Sequence, residues 1–161
     1  MSDSSLTNVA VRTASSVADL MRQERPAAAI TLTRSATLAI TTAGTLITWQ
    51  TQTRGQGITW STTDITIPTA GYYLIQVRLA TAASVTMPIQ VTVNGTALGY
   101  FANTFVATTY HTGTTMRYHA TGDVIQIRLL PSANTTLNQA AENTLTESPF
   151  LHIAQLTSVV T

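Results

Sequence analysis

Apolar side chains at every second position, in two runs between residues 64 and 89, constrain this chain more than any other feature of its sequence. A short alternating run ends in a Pro-Thr-Ala-Gly turn, and a longer run follows it. The alternating apolar positions are Ile65, Ile67, Tyr73, Ile75, Val77 and Leu79. A period of two indicates β-strands, because successive side chains of a strand point to opposite faces. We therefore predict two strands joined as a β-hairpin.

The same period recurs after Pro26 in short segments that are separated by turn residues. The predicted strands are 28–33, 37–41, 45–53, 58–61, 89–93, 96–102, 105–110, 114–119, 124–130 and 150–159. Asn94-Gly95 favours a tight type I′ hairpin, since both of its central residues take positive φ. Gly113 is predicted to form another turn, and residues 54–57 and 132–148 to form loops. This pattern predicts an all-β sandwich of about eight to ten short antiparallel strands.

Residues 1–26 differ from the rest of the chain. Their apolar residues recur at helical spacing until Pro26, which predicts a short helix of about ten residues, too short to be stable in isolation. We assign residues 1–26 to an N-terminal helical arm and residues 27–161 to the β domain. The arm either packs on its own domain or docks onto a neighbouring subunit or a larger particle. The candidate anchoring residues are Val17, Leu20, Met21 and Arg25.

Charge is scarce in this sequence. Charged residues make up 9% of the chain, all eight basic residues are arginine, and 33 of the 161 residues are threonine. A net charge of +1 provides no electrostatic footprint for nucleic acid or anionic lipid. No apolar run is long enough for a membrane span, and the polar start lacks the layout of a signal peptide, so we expect a soluble protein that is not exported by that route. Low charge also leaves little repulsion between copies, which suits a tight assembly.

Two predicted strands, residues 72–79 and 124–130, carry apolar or aromatic side chains on both faces. A sandwich strand that faces water on one side should not do so. A subunit interface is the simplest cover for the outer face.

Catalytic and metal-binding motifs are absent from the sequence. No Gly-x-Ser-x-Gly elbow or phosphate loop is present. The chain also contains no cysteine. His111, His119 and His152 are interpreted as ordinary polar strand residues, the alternative being three copies of one histidine that bind an ion on a three-fold axis. Trp49 and Trp60 either fill the core or an interface or stack against a sugar. We expect no enzyme activity, no cofactor and no metal.

Four segments, in this order, resemble the tumour-necrosis-factor-like jelly rolls, which include the globular heads of complement proteins. The segments are Ile65-Thr66-Ile67-Pro68-Thr69-Ala70-Gly71-Tyr72-Tyr73-Leu74-Ile75, Val91-Thr92-Val93-Asn94-Gly95, Gly122-Asp123-Val124-Ile125-Gln126-Ile127 and Ser148-Pro149-Phe150-Leu151-His152-Ile153. The resemblance covers about residues 45–159. It implies a ten-stranded jelly roll that forms a compact homotrimer, with aromatic and aliphatic side chains along the three-fold axis. It makes Tyr72, Tyr73, Tyr118 and Phe150 candidates for the core or for that axis.

Other features depart from secreted or membrane-bound cytokines of that family, since the sequence shows no collagen-like stalk, signal peptide or cysteine. The lysine-free, Thr- and Ala-rich composition and the Arg25-Pro26-Ala27 junction look more like small virion proteins of tailed bacteriophages. That resemblance implies a capsid decoration or cement protein, made in the host cytoplasm and located on the phage particle. Its partner would be the major capsid protein or another virion protein. The alternative is a host-receptor-binding tip or minor tail protein that reads glycan through exposed aromatics such as Tyr100, Phe101 or Tyr110.

Overall fold

The computed structural model describes residues 28–107, 110–137 and 149–156. Within these ranges all regular structure is β, with no helix. The strands are Ala29–Thr33 (β1), Leu38–Ile40 (β2), Thr45–Leu46 (β3), Thr51–Gln56 (β4), Thr59–Ser61 (β5), Asp64–Thr66 (β6), Gly71–Leu79 (β7), Val85–Val93 (β8), Thr96–Phe105 (β9), His111–His119 (β10), Val124–Leu129 (β11), Thr135–Leu137 (β12) and Phe150–Gln155 (β13). The predicted helical arm, with its four anchoring candidates, lies outside the described residues.

Two antiparallel sheets form a sandwich. One sheet has the order β10-β7-β13-β1-β4, the other has the order β5-β6-β11-β8-β9 with β3 beside β11, and β12 pairs separately with β2. Alternate residues of both sheets point into one core. Its fully buried members include Ile30, Leu32, Tyr73, Ile75, Val77, Ile89, Ile125, Ile127, Leu151 and Ile153. The predicted all-β sandwich is therefore confirmed, and burial of these faces is its main source of stability.

The predicted hairpin between β6 and β7 is wrong. β6 pairs with β5 and β11 in one sheet, whereas β7 pairs with β10 and β13 in the other. The Pro-Thr-Ala-Gly segment therefore crosses the edge of the sandwich, where the Tyr73 hydroxyl donates to the Thr69 carbonyl at 2.7 Å. Alternation could not reveal this, because both strands turn their apolar side chains toward the same core in either arrangement.

Three further predictions about loops and turns also need correction. Gly113 is buried inside β10, opposite Val77, and forms no turn. Arg54–Gln56, predicted as loop, belongs to the edge strand β4. Residues 135–137 form β12, within the segment predicted to lack structure. In each case tertiary pairing supplies the backbone hydrogen bonds that local sequence did not indicate.

The predicted Asn94-Gly95 hairpin is confirmed between β8 and β9. Asn94 has φ 52° and Gly95 has φ 77°, as a type I′ turn requires. Asn94 also ties this hairpin to the start of β11. Its Nδ2 donates to Asp123 Oδ1 at 2.9 Å, and its Oδ1 accepts from the Val124 backbone amide at 2.9 Å. One side chain thus serves both the turn and the packing of neighbouring strands.

We predict that Asn94→Ala lowers the free energy of unfolding by about 3 kcal/mol. About 1 kcal/mol comes from placing alanine at positive φ, and about 2 kcal/mol from losing two hydrogen bonds, one of them to a carboxylate. Urea unfolding at fixed protein concentration measures the change. Asn94→Gly is the matched control, since it accepts the backbone angle and isolates the hydrogen-bond loss. Wild-type stability in Asn94→Gly would contradict the role given to the side chain.

Candidate functional site: an aromatic patch on the five-stranded sheet

An apolar area lies on the outer face of the five-stranded sheet, at one end of β7. Strand register places Tyr118 opposite Tyr72, and Met116 opposite Leu74. On the other side of β7, Ala154 lies opposite Leu74, and the Leu156 amide donates to the Tyr72 carbonyl at 2.8 Å. We call this group the aromatic patch. It consists of Tyr72, Leu74, Met116, Tyr118, Ala154 and Leu156.

The aromatic patch is open to solvent in the single chain. Tyr72 is 56% exposed, Met116 59%, Tyr118 59% and Leu156 41%. The two tyrosine rings contact each other edge to face, with centroids 5.6 Å apart and an interplanar angle of 75°. Cross-strand aromatic pairs of this kind stabilise a sheet modestly. The stabilisation from this one ring contact does not explain why four large apolar side chains are exposed to water. An exposed apolar cluster of this kind is typical of an interaction surface.

Polar and basic side chains occupy the next row of the same face. Gln76 lies opposite His152, His152 opposite Thr31, and Thr31 opposite Arg54, from β7 across to β4. The aromatic patch is therefore bounded on this side by polar groups, which resembles the polar rim around the apolar centre of a protein interface.

A cation–π cluster forms the third row. The Arg78 guanidinium lies 4.6 Å from the centroid of Tyr110 and 4.5 Å from that of Phe150. Each ring carries negative charge density on its face and attracts the cation. Sequence reasoning missed this cluster, because its members come from two strands and the segment before β10.

The structure separates the four residues that the resemblance selected for the core or the axis. Tyr73 is fully buried in the core. Tyr72 and Tyr118 lie together in the aromatic patch. Phe150 lies at the opposite end of the same face, against Arg78. The sequence alone could have separated Tyr73 from Tyr72. Tyr73 is two positions from Ile75 and points to the same face of the strand, whereas Tyr72 points to the other face.

The aromatic residues considered for sugar stacking have different environments. Trp49 is buried in the core, and Trp60 is half-buried, with its Nε1 donating to Gln52 Oε1 at 2.9 Å. Tyr110 lies over Arg78. Tyr100 and Phe101 are part of β9. Trp49, Trp60 and Tyr110 therefore present no fully exposed ring for stacking against a sugar.

A polar cleft of about 510 Å³ lies on the other sheet. Its lining includes Gly44, Thr92, Gln126 and Arg128. Gln126 Nε2 donates to Asp64 Oδ1 at 2.7 Å, and Arg128 Nη2 donates to the Ala43 carbonyl at 3.0 Å. The hydrogen bond from Gln126 is the main reason that the pKa of Asp64 is lowered. These contacts hold the polar groups of the cleft in fixed orientations.

His119, next to the aromatic patch on β10, is a buried imidazole. It is 1% exposed, it contacts the Tyr73 ring, and within the described residues neither ring nitrogen has a hydrogen-bond partner. Asp123 Oδ2 lies 3.6 Å from His119 Nδ1 and accepts instead from the Ala120 amide at 2.8 Å. Burial lowers the pKa of His119, and the Asp123 carboxylate opposes part of that shift.

The described ranges contain no group of three or more histidines and carboxylates that could hold a metal ion. Over the same ranges, no helix has the length and apolar character needed to cross a membrane. The expectations of no metal, no cofactor and no catalysis therefore stay predictions about the whole chain.

We predict that the protein loses stability as the pH falls below about 6.5, the ordinary value for an unfolded histidine. Because the pKa of His119 is lower in the folded state, the unfolded chain binds the proton first, so acid favours unfolding. Thermal unfolding between about pH 8 and pH 5 measures the effect. His119→Leu should reduce the slope of stability against pH. An unchanged slope in His119→Leu would refute the assignment.

The fold and this site geometry can be compared with solved structures. Murine APRIL at pH 8.0 is similar with a TM-score of 0.59 and 18% identity, over 80% of this chain and 98% of that chain. PRD1 vertex protein P5 is similar with a TM-score of 0.60 and 15% identity, over 81% of this chain and 73% of that chain. The globular domain of zebrafish complement 1qA has a TM-score of 0.54 and 12% identity, over 83% of this chain and 98% of that chain.

These likenesses identify the fold, which is the TNF-like jelly roll that the sequence motifs suggested. A comparison with curated protein sequences finds no match. Residues 28–147 match the family model of the BclA C-terminal domain. That match spans most of the chain, and the protein therefore belongs to the BclA C-terminal domain family.

Proposed function

We propose that this protein is a structural protein on the surface of a phage particle, where it forms a homotrimer of jelly rolls and decorates or cements the capsid. The observation that carries the proposal is the aromatic patch on the five-stranded sheet. Self-association through this patch is the first part of the proposal. Attachment to a virion is the second part and rests on additional arguments.

Burial of the aromatic patch provides the free energy for association. Moving a large apolar side chain from water into an interface gains about 1.5–3 kcal/mol, and four such side chains are more than 40% exposed in each chain. Part of the gain offsets the loss of translational and rotational freedom. A closed ring of three chains lets each copy bury its patch around one axis. Three rather than two copies follows from the resemblance to TNF-like jelly rolls.

Low charge supports an assembled state. With 9% charged residues and a net charge of +1, copies repel one another little as they approach. The patch itself has no charged member, so its burial requires no desolvation of ions.

Particle attachment is assigned to the N-terminal arm, residues 1–26, which precedes the jelly-roll domain of residues 27–161. Val17, Leu20, Met21 and Arg25 are its candidate contacts with the major capsid protein or another virion protein. Three arms on one trimer would bind together, and such avidity can exceed a single contact by about 10² to 10⁴. The fold of PRD1 vertex protein P5 supports the use of this architecture in a particle, and the lysine-free composition supports a phage.

A second candidate function is binding of host-surface glycan by a tail or fibre protein. The polar cleft on the other sheet favours it, because Thr92, Gln126 and Arg128 supply fixed hydroxyl, amide and guanidinium groups. This surface lies on the sheet opposite the aromatic patch and would stay accessible in the proposed trimer.

We predict that Tyr72→Asp combined with Tyr118→Asp converts the trimer to a monomer. Two carboxylates per chain cannot be buried at the axis without a large desolvation penalty. Sedimentation velocity at about 10 μM protein measures the change, with circular dichroism to verify folding. Val106→Asp is the control, since Val106 is 54% exposed but lies outside the aromatic patch. A wild-type chain that sediments as a monomer would refute the trimer.

We predict that the full-length protein binds saturably to particles that lack it, and that Leu20→Ser with Met21→Ser weakens this binding at least tenfold. Loss of the apolar contacts of all three arms removes the avidity term. Cosedimentation with particles measures this binding, and the same assay with host cells is run in parallel. Binding to cells that Gln126→Ala abolishes, with no binding to particles, would overturn decoration and favour the glycan candidate.

A further inference from the structure

Two basic side chains converge on the polar row beside the aromatic patch. Thr31 on β1 lies opposite His152 of β13 on one side and opposite Arg54 of β4 on the other. Between them is a hollow of about 250 Å³. Its lining consists of Ala29, Thr31, Arg54, Gly55, Gln56 and His152. The hollow is therefore built by three adjacent strands of one sheet.

The imidazole of His152 is held in one orientation. Thr31 Oγ1 lies 2.9 Å from His152 Nδ1. Nε2 has no hydrogen-bond partner among the described residues. A hydroxyl both donates and accepts, so Thr31 can hold the neutral or the protonated ring. In the protonated ring Nδ1 donates to Thr31, and Nε2 has a proton to donate to a ligand.

The charges around the hollow are all of one sign. The titratable groups are Arg54, from β4, and His152, from β13. The flanking position on β7 is Gln76, and β1 contributes Thr31, so no described strand places a carboxylate here. Burial lowers the pKa of His152, and the positive charge of Arg54 lowers it further. Two groups that repel each other and have no counterion nearby make a site with affinity for an anion.

We propose that this hollow binds an oxyanion, with the Arg54 guanidinium and the His152 ring as its two main donors. The guanidinium presents parallel N–H groups that match two oxygens of a sulfate, phosphate or carboxylate group. His152 Nε2 supplies a third donor, and the Gln56 amide lies in the same lining. The proposal does not depend on the virion assignment, because it rests on groups within one chain.

Anion binding at this site strengthens as the pH falls. A bound anion stabilises the protonated ring, and a charge-assisted hydrogen bond exceeds a neutral one by about 1 kcal/mol. We expect the Kd for sulfate to be about fivefold lower at about pH 5.5 than at about pH 8. By linkage, saturating sulfate raises the pKa of His152.

The test is an NMR titration of the three histidine rings of the full-length protein. Sodium sulfate replaces sodium chloride at constant ionic strength, and sodium phosphate and sodium acetate are run in parallel to distinguish tetrahedral oxyanions from carboxylates. The expected result is a saturable shift confined to His152. Arg54→Gln should weaken binding at least tenfold, and Arg54→Lys should restore part of it.

Arg117→Gln is the matched control, because it removes one positive charge from an exposed position on β10, away from the hollow. Equal effects of Arg54→Gln and Arg117→Gln would indicate general electrostatic attraction and overturn the site. So would equal shifts of all three histidines, or no shift of His152 with any of the three anions. Sedimentation of the same samples reports the oligomeric state separately, so failure of the trimer and failure of the anion site are distinguishable.

Discussion

Burial of one face of β7 against the opposing sheet is the interaction on which the rest of the structure depends. Tyr73, Ile75, Val77 and Leu79 are fully buried, and β7 is the strand that joins β10 and β13. Because side chains alternate along a strand, this burial places the intervening residues on the outer face without exception. A slip by one residue would exchange the two sets and put Tyr72, Leu74 and Arg78 into the core. The character of the outer face is therefore a consequence of how the core is packed.

That outer face has three zones with different physical character. The aromatic patch is apolar and exposed, the middle row is polar and basic, and the Arg78 cluster is a cation held between two rings. An interface that contained only the first zone would have little directional preference. In the proposed homotrimer, the neighbouring basic row and cation–π cluster add electrostatic features that restrict which surface can dock and in which register. The separation of these zones along β7 is therefore as important for the proposed homotrimer as the apolar area itself.

The polar groups at one end of the sandwich differ in how well their hydrogen-bonding atoms are paired. His119 is enclosed beside the Tyr73 ring without hydrogen bonds among the described residues, whereas Asp123 is satisfied by Ala120 and Asn94. The Asn94 turn, the Asp123 carboxylate and the buried imidazole thus form one connected region at the end of the sandwich. Protonation of His119 would place a positive charge in this buried region, which is unfavourable because the charge is removed from water. His119 lies on β10, which also carries two residues of the aromatic patch, so the solution pH acts on the strand that supports the patch.

The sequence by itself determined the fold class, the Asn94-Gly95 hairpin and the phase of β1, β7 and β11, because these follow from local periodicity and turn chemistry. The motifs around Gly71-Tyr72-Tyr73 were also sufficient to suggest the TNF-like jelly roll. Only the tertiary structure decided that β6 and β7 belong to different sheets, that Gly113 is a strand residue, and that Tyr118 meets Tyr72. His152 likewise meets Thr31 across the sheet although the two residues are 121 positions apart in sequence, and Arg54 pairs with Thr31 on its other side. Which distant segments pair depends on how the whole core packs. Alternation identifies a strand and its buried face, but it is the same for every possible partner strand.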